Sequence, residues 1–350
     1  MKKKIIYGVC MLSLVAMTVT SCKKNEETAS TFACEEIPME MDNDGRYYYD
    51  PSVGTTGAYV WEVTDQVKVF NKANNETALF VVTSSTGSSF QTTGPVGFAT
   101  SNEMFAFFPY EMASEDFDKA DERQTFVLGD AFNAKKVNGR YTICDGMFPK
   151  AAKYNPQTRK FSFKSIFGMA RFVVSANEDP NQPGHFAKIK EIVVEDNVFS
   201  LAGTVSLHPY ALEPELAPEG GPLKAMIKAY KDEGTDFTSN PLYASYVINT
   251  LGYSAQGTNK TITLSFEQSG YPTAYNESGA VCYFGLRPGS FAKGFKVYVT
   301  LDNDQTITLS QFANPDLTDS EQRGWVIEPN KIKTYFLNID SNLIDWNAYN

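Results

Sequence analysis

Few side chains in this sequence have the type or spacing that reaction chemistry needs. The two histidines, His185 and His208, stand beside glycine and proline, and neither has a second histidine at metal-ligand spacing. The five cysteines are Cys10, Cys22, Cys34, Cys144 and Cys282, and no Cys-x-x-Cys pair occurs among them. His-Glu-x-x-His, Gly-x-Ser-x-Gly and Gly-x-x-x-x-Gly-Lys are also absent, which removes common signatures of zinc proteases, serine hydrolases and phosphate-binding loops. A serine paired with His185 or His208 has no support in the local sequence. Two carboxylates brought together in space would suffice to hydrolyse a glycosidic bond. The 41 Asp and Glu residues read more simply as solvated strand edges and turns. The expectation is a protein with no catalytic residues, no metal ligands and no cofactor.

One residue is placed for covalent chemistry of another kind. Lys2, Lys3 and Lys4 precede an apolar run from Ile5 to Val19, followed by the small pair Thr20-Ser21 and then Cys22. A basic start, a short apolar stretch and small residues at the cut form a secretory signal. The run is shorter than the roughly 20 residues that cross a bilayer. A cysteine directly behind the cut resembles the lipobox of bacterial lipoproteins, although Val19 stands where that pattern favours leucine. The resemblance implies that residues 1–21 are removed and that Cys22 carries diacylglycerol and an acyl chain such as palmitate. Each buried CH₂ contributes roughly 0.8 kcal/mol, so several chains anchor a domain stably. Plain secretion, with Cys22 an ordinary thiol, is the alternative. The cluster Lys23-Lys24-Asn25-Glu26-Glu27 is similar to export signals that send Bacteroidota lipoproteins to the outer face of the outer membrane, and a solvated spacer accounts for it nearly as well.

The elements behind this anchor read as strands. The chain carries 31 Lys and Arg against 41 Asp and Glu, a formal charge of −10 that becomes −13 once Lys2, Lys3 and Lys4 are lost. An acidic surface argues against nucleic acid as a partner. Residues 23–50 are polar and acidic and read as a tether. From Tyr59 onward, short alternating runs recur between Asn, Gly, Ser and Pro clusters, the pattern of an all-β sandwich. They include Tyr59–Val63, Gln66–Phe70, Met104–Phe108, Ile189–Val194, Thr261–Phe266 and Lys333–Ile339. Phe295–Leu309 reads as a hairpin around an Asn-Asp turn. The polar, proline-containing stretch Ala151–Arg159 is the candidate domain boundary, and the proline-rich stretch Leu212–Gly221 a surface loop. The best helical stretch, Leu223–Tyr230, is short. Cys34, Cys144 and Cys282 are odd in number and far apart, so buried thiols fit better than a disulfide framework, with a bridge from Cys34 left open. Strand aromatics read as core rather than as a glycan platform. The run Tyr47-Tyr48-Tyr49 is the better ligand-binding candidate.

Four pieces, in order, carry a family resemblance. They are Trp61-x-x-x-Asp65-x-Val67-x-Val69-Phe70, Phe105-Ala106-Phe107-Phe108-Pro109-Tyr110, the run Phe161 to Phe172, and Ile327-Glu328-Pro329-Asn330-Lys331 leading to Tyr335-Phe336-Leu337. Behind a lipoprotein signal, this order resembles the fimbrillin family, the type V pilins and fimbrillin-like lipoproteins of Bacteroidales. The resemblance implies an all-β chain of two tandem transthyretin-like β-sandwich domains without enzymatic activity. On that pattern residues 1–21 are the signal, 22–50 the lipidated tether and candidate removable strand, 51–157 the N-terminal sandwich and 158–350 the C-terminal sandwich. It implies a surface-exposed outer-membrane lipoprotein that enters a fimbrium once processed, as subunit or as accessory or tip adhesin. Implied partners are other pilin subunits joined by strand addition, host or bacterial surface ligands, and the outer membrane through the lipid. A protease, often arginine-specific, cuts family members to free an N-terminal strand. Arg46, between the acidic tether and Tyr47, is the matching candidate here. Chain growth in the family uses strands beyond the closing strand. Beyond Ile339 the sequence runs from Asp340 to Asn350, with Leu343-Ile344-Asp345-Trp346 the candidate for part of a donor strand. A monomeric, lipid-anchored glycan-binding protein is the alternative.

Overall fold

The computed structural model describes residues 29–37, 39–41, 61–118, 123–137, 140–142, 149–196, 201–207, 254–256, 260–267, 270–273, 279–286, 289–290, 295–311, 326–327 and 330–349. Among them the regular structure is strand, apart from 3₁₀ turns at Ser341–Leu343 and Trp346–Tyr349. The chain is all-β. No helix among the described residues is long and apolar enough to cross a membrane.

Seven strands close a barrel: β1 (Ala29–Glu36), β3 (Gln66–Asn71), β4 (Glu76–Thr86), β5 (Ser89–Val96), β6 (Met104–Phe108), β12 (Lys150–Asn155) and β13 (Lys160–Ser165). Their order around the wall is β1-β13-β12-β6-β3-β4-β5. Period-two alternation sends Val67, Val69, Phe80, Val82, Phe161 and Phe163 into one core. β6 is buried along its whole length, because the outer face is covered too. There Phe105 and Phe107 pack against Phe117 and Phe126 of β7 (Ala113–Asp118) and β8 (Arg123–Leu128).

A second core lies between two further sheets. One holds β2 (Glu40–Met41), β14 (Gly168–Ala176), β20 (Ala280–Leu286) and β25 (Lys331–Ile339), in the order β2-β25-β14-β20. The other runs β23-β22-β15-β18-β9, with β9 (Ala131–Asn133), β15 (Lys188–Asp196), β18 (Thr261–Ser265), β22 (Phe295–Leu301) and β23 (Thr306–Gln311), and β19 (Tyr271–Pro272) on β15. Phe172, Val174 and Phe284 meet Ile192, Val194, Val297 and Val299 between them. β16 (Gly203–Leu207) and β17 (Ser254–Gln256) extend the β7–β8 pair, while β10 (Lys135–Val137) pairs β11 (Arg140–Thr142) and β21 (Gly289–Ser290) pairs β24 (Val326–Ile327).

Several expectations meet the structure directly. The β22–β23 hairpin turns through Asp302-Asn303-Asp304, with Asp304 at φ +65°. Trp61–Val63 is no strand: Asp65 Oδ2 accepts the Glu62 N–H at 2.9 Å, and Thr64 at φ +93° turns the chain before β3 begins. The boundary expected at Ala151–Arg159 falls on the β12–β13 hairpin, both strands of which belong to the barrel. Its polar residues are turn chemistry, since Asn155 Oδ1 accepts the N–H groups of Gln157 and Thr158 and Arg159 sits at φ +58°. The core changes from barrel to sandwich between Phe163 and Met169. Leu212–Gly221, Leu223–Tyr230 and Cys144 lie outside the described residues.

The C-terminal segment packs on the second core. Leu343 ends one 3₁₀ turn and Trp346 opens the next, with Ile344 and Asp345 between them, and Ile344 and Trp346 are buried in the second core. Gln305 clamps the segment from the β22–β23 turn, donating to Leu343 O at 2.5 Å and accepting from the Asp345 N–H at 2.9 Å. Tyr349 donates to Asp302 Oδ1 at 2.6 Å. The alternation needed for a strand is broken by these local caps.

Candidate functional site

Cys22 and Arg46 lie outside the described residues, as does the run Tyr47-Tyr48-Tyr49. The stretch between Cys22 and Arg46, read as tether and candidate removable strand, contains β1. This strand bridges two others that do not pair with each other. It runs antiparallel to β5, matching Phe32 to Thr92 and Cys34 to Phe90. It runs parallel to β13, matching Cys34 to Phe161 and Glu36 to Phe163. Without β1 the barrel wall is an open sheet with β5 and β13 as its two edges.

Alternate residues of β1 point inward. Phe32 lies 5.3 Å from the ring of Phe80, 5.2 Å from Phe161 and 5.6 Å from Tyr154. Cys34 Sγ sits 3.7 Å from Thr92 Oγ1, and burial pushes its thiol up to about 12. Glu36 ends the inward row with 2% of its surface exposed. Its Oε1 is 2.6 Å from Lys150 Nζ on β12, and its Oε2 accepts the Trp61 Nε1–H at 3.1 Å. Burial raises the Glu36 carboxyl above its ordinary value, and the Lys150 charge and the two hydrogen bonds pull it back down. Trp61 is stacked on Phe90 at 4.0 Å, so the indole that meets Glu36 is fixed by the far edge of the slot. Main-chain bonds from the Glu36 N–H to Ser88 O (2.7 Å) and the Ile37 N–H to Phe163 O (2.8 Å) complete the seat.

The outer row, Ala29, Thr31, Ala33 and Glu35, is exposed or half-buried. Glu35 accepts from Ser162 Oγ at 2.6 Å and faces Lys160 at 3.5 Å. Just beyond β1, Met39 is buried in the second core and β2 pairs parallel with β25. One short N-terminal segment is therefore built into both cores.

Apart from Cys34, the remaining candidates for chemistry are set apart from this slot. His185 lies 3.8 Å from Asp179 and packs edge-on against Trp346 and Tyr349, so it fastens the C-terminal turns. His208 is outside the described residues. Cys34 and Cys282 are free thiols, each buried in a different core, and burial pushes the Cys282 thiol up as well. Among the described residues no three His, Cys, Asp or Glu side chains are grouped to hold a metal ion. A small pocket lined by Leu128, Phe132, Phe167, Leu201 and Ile262 holds no titratable side chain. The strand phenylalanines of the barrel, such as Phe80, Phe107 and Phe163, are core, whereas Phe336 on β25 is 54% exposed. Glu36 and Lys150 are the site residues that sequence reasoning missed. The signal for Glu36 was a carboxylate on the same parity as Phe32 and Cys34.

The fold and site thus define an all-β chain whose barrel is closed by a strand from its N-terminal region. No protein-family model matches the chain, and no curated protein matches it. Among solved structures it is similar to a "putative cell adhesion protein" from Bacteroides uniformis, at 12% identity and TM-score 0.46 over 89% of this chain and 93% of that one. A protein of the same description from Bacteroides ovatus aligns at 12% identity and TM-score 0.44, over 89% and 93% of the two chains. The tip fimbrial protein Mfa3 from Porphyromonas gingivalis, with C-terminal truncation, aligns at 8% identity and TM-score 0.34, over 88% and 94%.

Proposed function

We propose that this chain is a surface-exposed lipoprotein, anchored through acylated Cys22, that serves as a fimbrial subunit or accessory adhesin and assembles by strand replacement. Its two cores are read as tandem transthyretin-like modules, the first closed by β1. Its work is done by backbone edges and not by a reactive centre. The observation that carries this reading is that, among the described strands, β1 alone joins β5 to β13. A cut after Arg46 leaves β1 and β2 held only by non-covalent contacts. Once they leave, two edges of opposite direction, β5 and β13, lie open for a strand from another subunit, which gains main-chain hydrogen bonds along both sides. Sequence supplies the rest: the lipobox at Cys22 and the basic residue between tether and first module.

Cleaving the purified full-length precursor with an arginine-specific protease and running unboiled gels tests it. The expected result is a new N-terminus at Tyr47 together with a ladder of oligomers that collapses on boiling. Absence of both refutes the assembly reading. Metabolic labelling with a clickable palmitate tests the anchor separately, with label expected on the wild type and none on Cys22→Ala.

A further inference from the structure

The slot that β1 fills is not uniformly apolar. Its first inward place is aromatic, walled by Phe80, Tyr154 and Phe161, and its second is narrow, with Cys34 against Thr92. Its third is polar: Lys150 and Trp61, two donors fixed in the wall, converge on the carboxylate of Glu36. Lys150 is 2% exposed and Trp61 equally so, so an incoming strand meets them away from water. A buried ammonium tolerates loss of its carboxylate poorly, and leaving one partner of such a pair behind is strongly destabilising. Hydrogen bonding along β5 and β13 is blind to sequence. The third place is not.

We infer that this end of the slot selects its occupant by charge: the strand that replaces β1 carries a carboxylate at its third inward position, behind an aromatic and a small residue. The occupant is an extended segment of the pattern aromatic-x-small-x-acidic, lying parallel to β13 with its acid over Lys150. This rests on the strand-replacement reading and adds to it a rule for partner choice. Register follows from the same contact. A slip of two residues along the ladder would place the acid in the narrow second position and an apolar or absent group against Lys150.

The experiment uses the full chain with a specific protease sequence inserted after Arg46, cut so that β1 stays seated. Labelled peptides of residues 29–41 are then added, and their entry is followed by fluorescence anisotropy. The wild-type peptide is expected to exchange in. Glu36→Gln and Glu36→Leu peptides are expected to bind at least about 100-fold more weakly, and Glu36→Asp to fall between. In a Lys150→Met host the preference inverts toward the Glu36→Leu peptide, which a merely structural role for Glu36 would not produce. Equal binding of the acidic and neutral peptides to the wild-type host overturns the charge rule and leaves strand replacement standing. Failure of every peptide, wild type included, overturns both.

Discussion

Replacing Lys150 by methionine removes the ammonium from a carboxylate that has 2% of its surface exposed and cannot turn toward solvent. Breaking a buried pair in this way costs about 3–5 kcal/mol, or roughly two to three and a half powers of ten in the folding constant. Glu36→Leu is expected to cost a similar amount by taking the carboxylate away from buried Lys150. The double variant, Glu36→Leu with Lys150→Met, replaces the pair by apolar groups and is expected within about 1 kcal/mol of wild type, or above it. Urea denaturation followed by tryptophan fluorescence measures all four chains, with equal m-values required for the comparison. The pH dependence supplies an independent sign. Burial is the largest cause of the raised Glu36 carboxyl, and Lys150 is the main group opposing it, so Lys150→Met lifts it further. A carboxyl raised in the folded state contributes stability that is whole below its unfolded value of about 4.3 and is lost as pH climbs through the folded value. The deficit of Lys150→Met is therefore largest near pH 8 and narrows toward pH 5. A deficit that ignores pH, or single costs that simply add in the double variant, would refute the reasoning.

The other contacts make equally direct predictions. Phe32→Ala empties the aromatic place between Phe80, Tyr154 and Phe161 and is expected to cost about 3–5 kcal/mol in the same urea titration. It should also speed loss of β1 from cleaved protein. Cys34 and Cys282, buried and with raised thiols, are expected to stay unlabelled by iodoacetamide in native protein at pH 8 and to react fully in urea, as read by peptide mass mapping. Gln305→Ala breaks both clamps on the C-terminal turns and is expected to cost about 1–3 kcal/mol, with faster proteolysis after Leu343. Unchanged proteolysis would mean that Ile344 and Trp346 hold the segment by burial alone.

The strands that read clearly in the sequence are those whose alternation is long or whose apolar run is continuous, such as β6, β15 and the β22–β23 hairpin. β1 was hidden by its surroundings. Across residues 23–50 the composition is that of a solvated tether, and only the eight residues of β1 carry a period of two. Phe32 and Cys34 supply that period, and Glu36 disguises it, because a carboxylate looks like the end of an apolar row rather than part of one. The partner that makes Glu36 an inward residue lies 114 positions away and reaches it only through the β13–β12 pairing. No local rule contains that register. Trp61 was legible as a marker but not as a fixed donor, since its role depends on a turn at Thr64 and a stack on Phe90. At residues 155–159 an Asn-Pro turn with side-chain capping has the composition of a linker and the geometry of a hairpin.

The same contacts that make β1 replaceable also make it slow to leave. While the chain is intact, β1 rebinds from an effective concentration in the millimolar range, so no external strand at micromolar levels competes. A cut after Arg46 removes that advantage without weakening a single contact. β1 still holds hydrogen bonds on both edges, the aromatic place and the Glu36–Lys150 pair. Cleavage by itself therefore does not empty the slot; it makes occupancy a contest between strands. A competitor wins by excess, as an added peptide does, or by local concentration, as a strand of a docked neighbouring subunit does, provided that it satisfies Lys150 as well as Glu36 does. On this argument the charge at the third place acts as a threshold. A strand lacking the acid has to displace a paired carboxylate and put nothing in its place, whereas a matching strand exchanges one ion pair for another at little net cost.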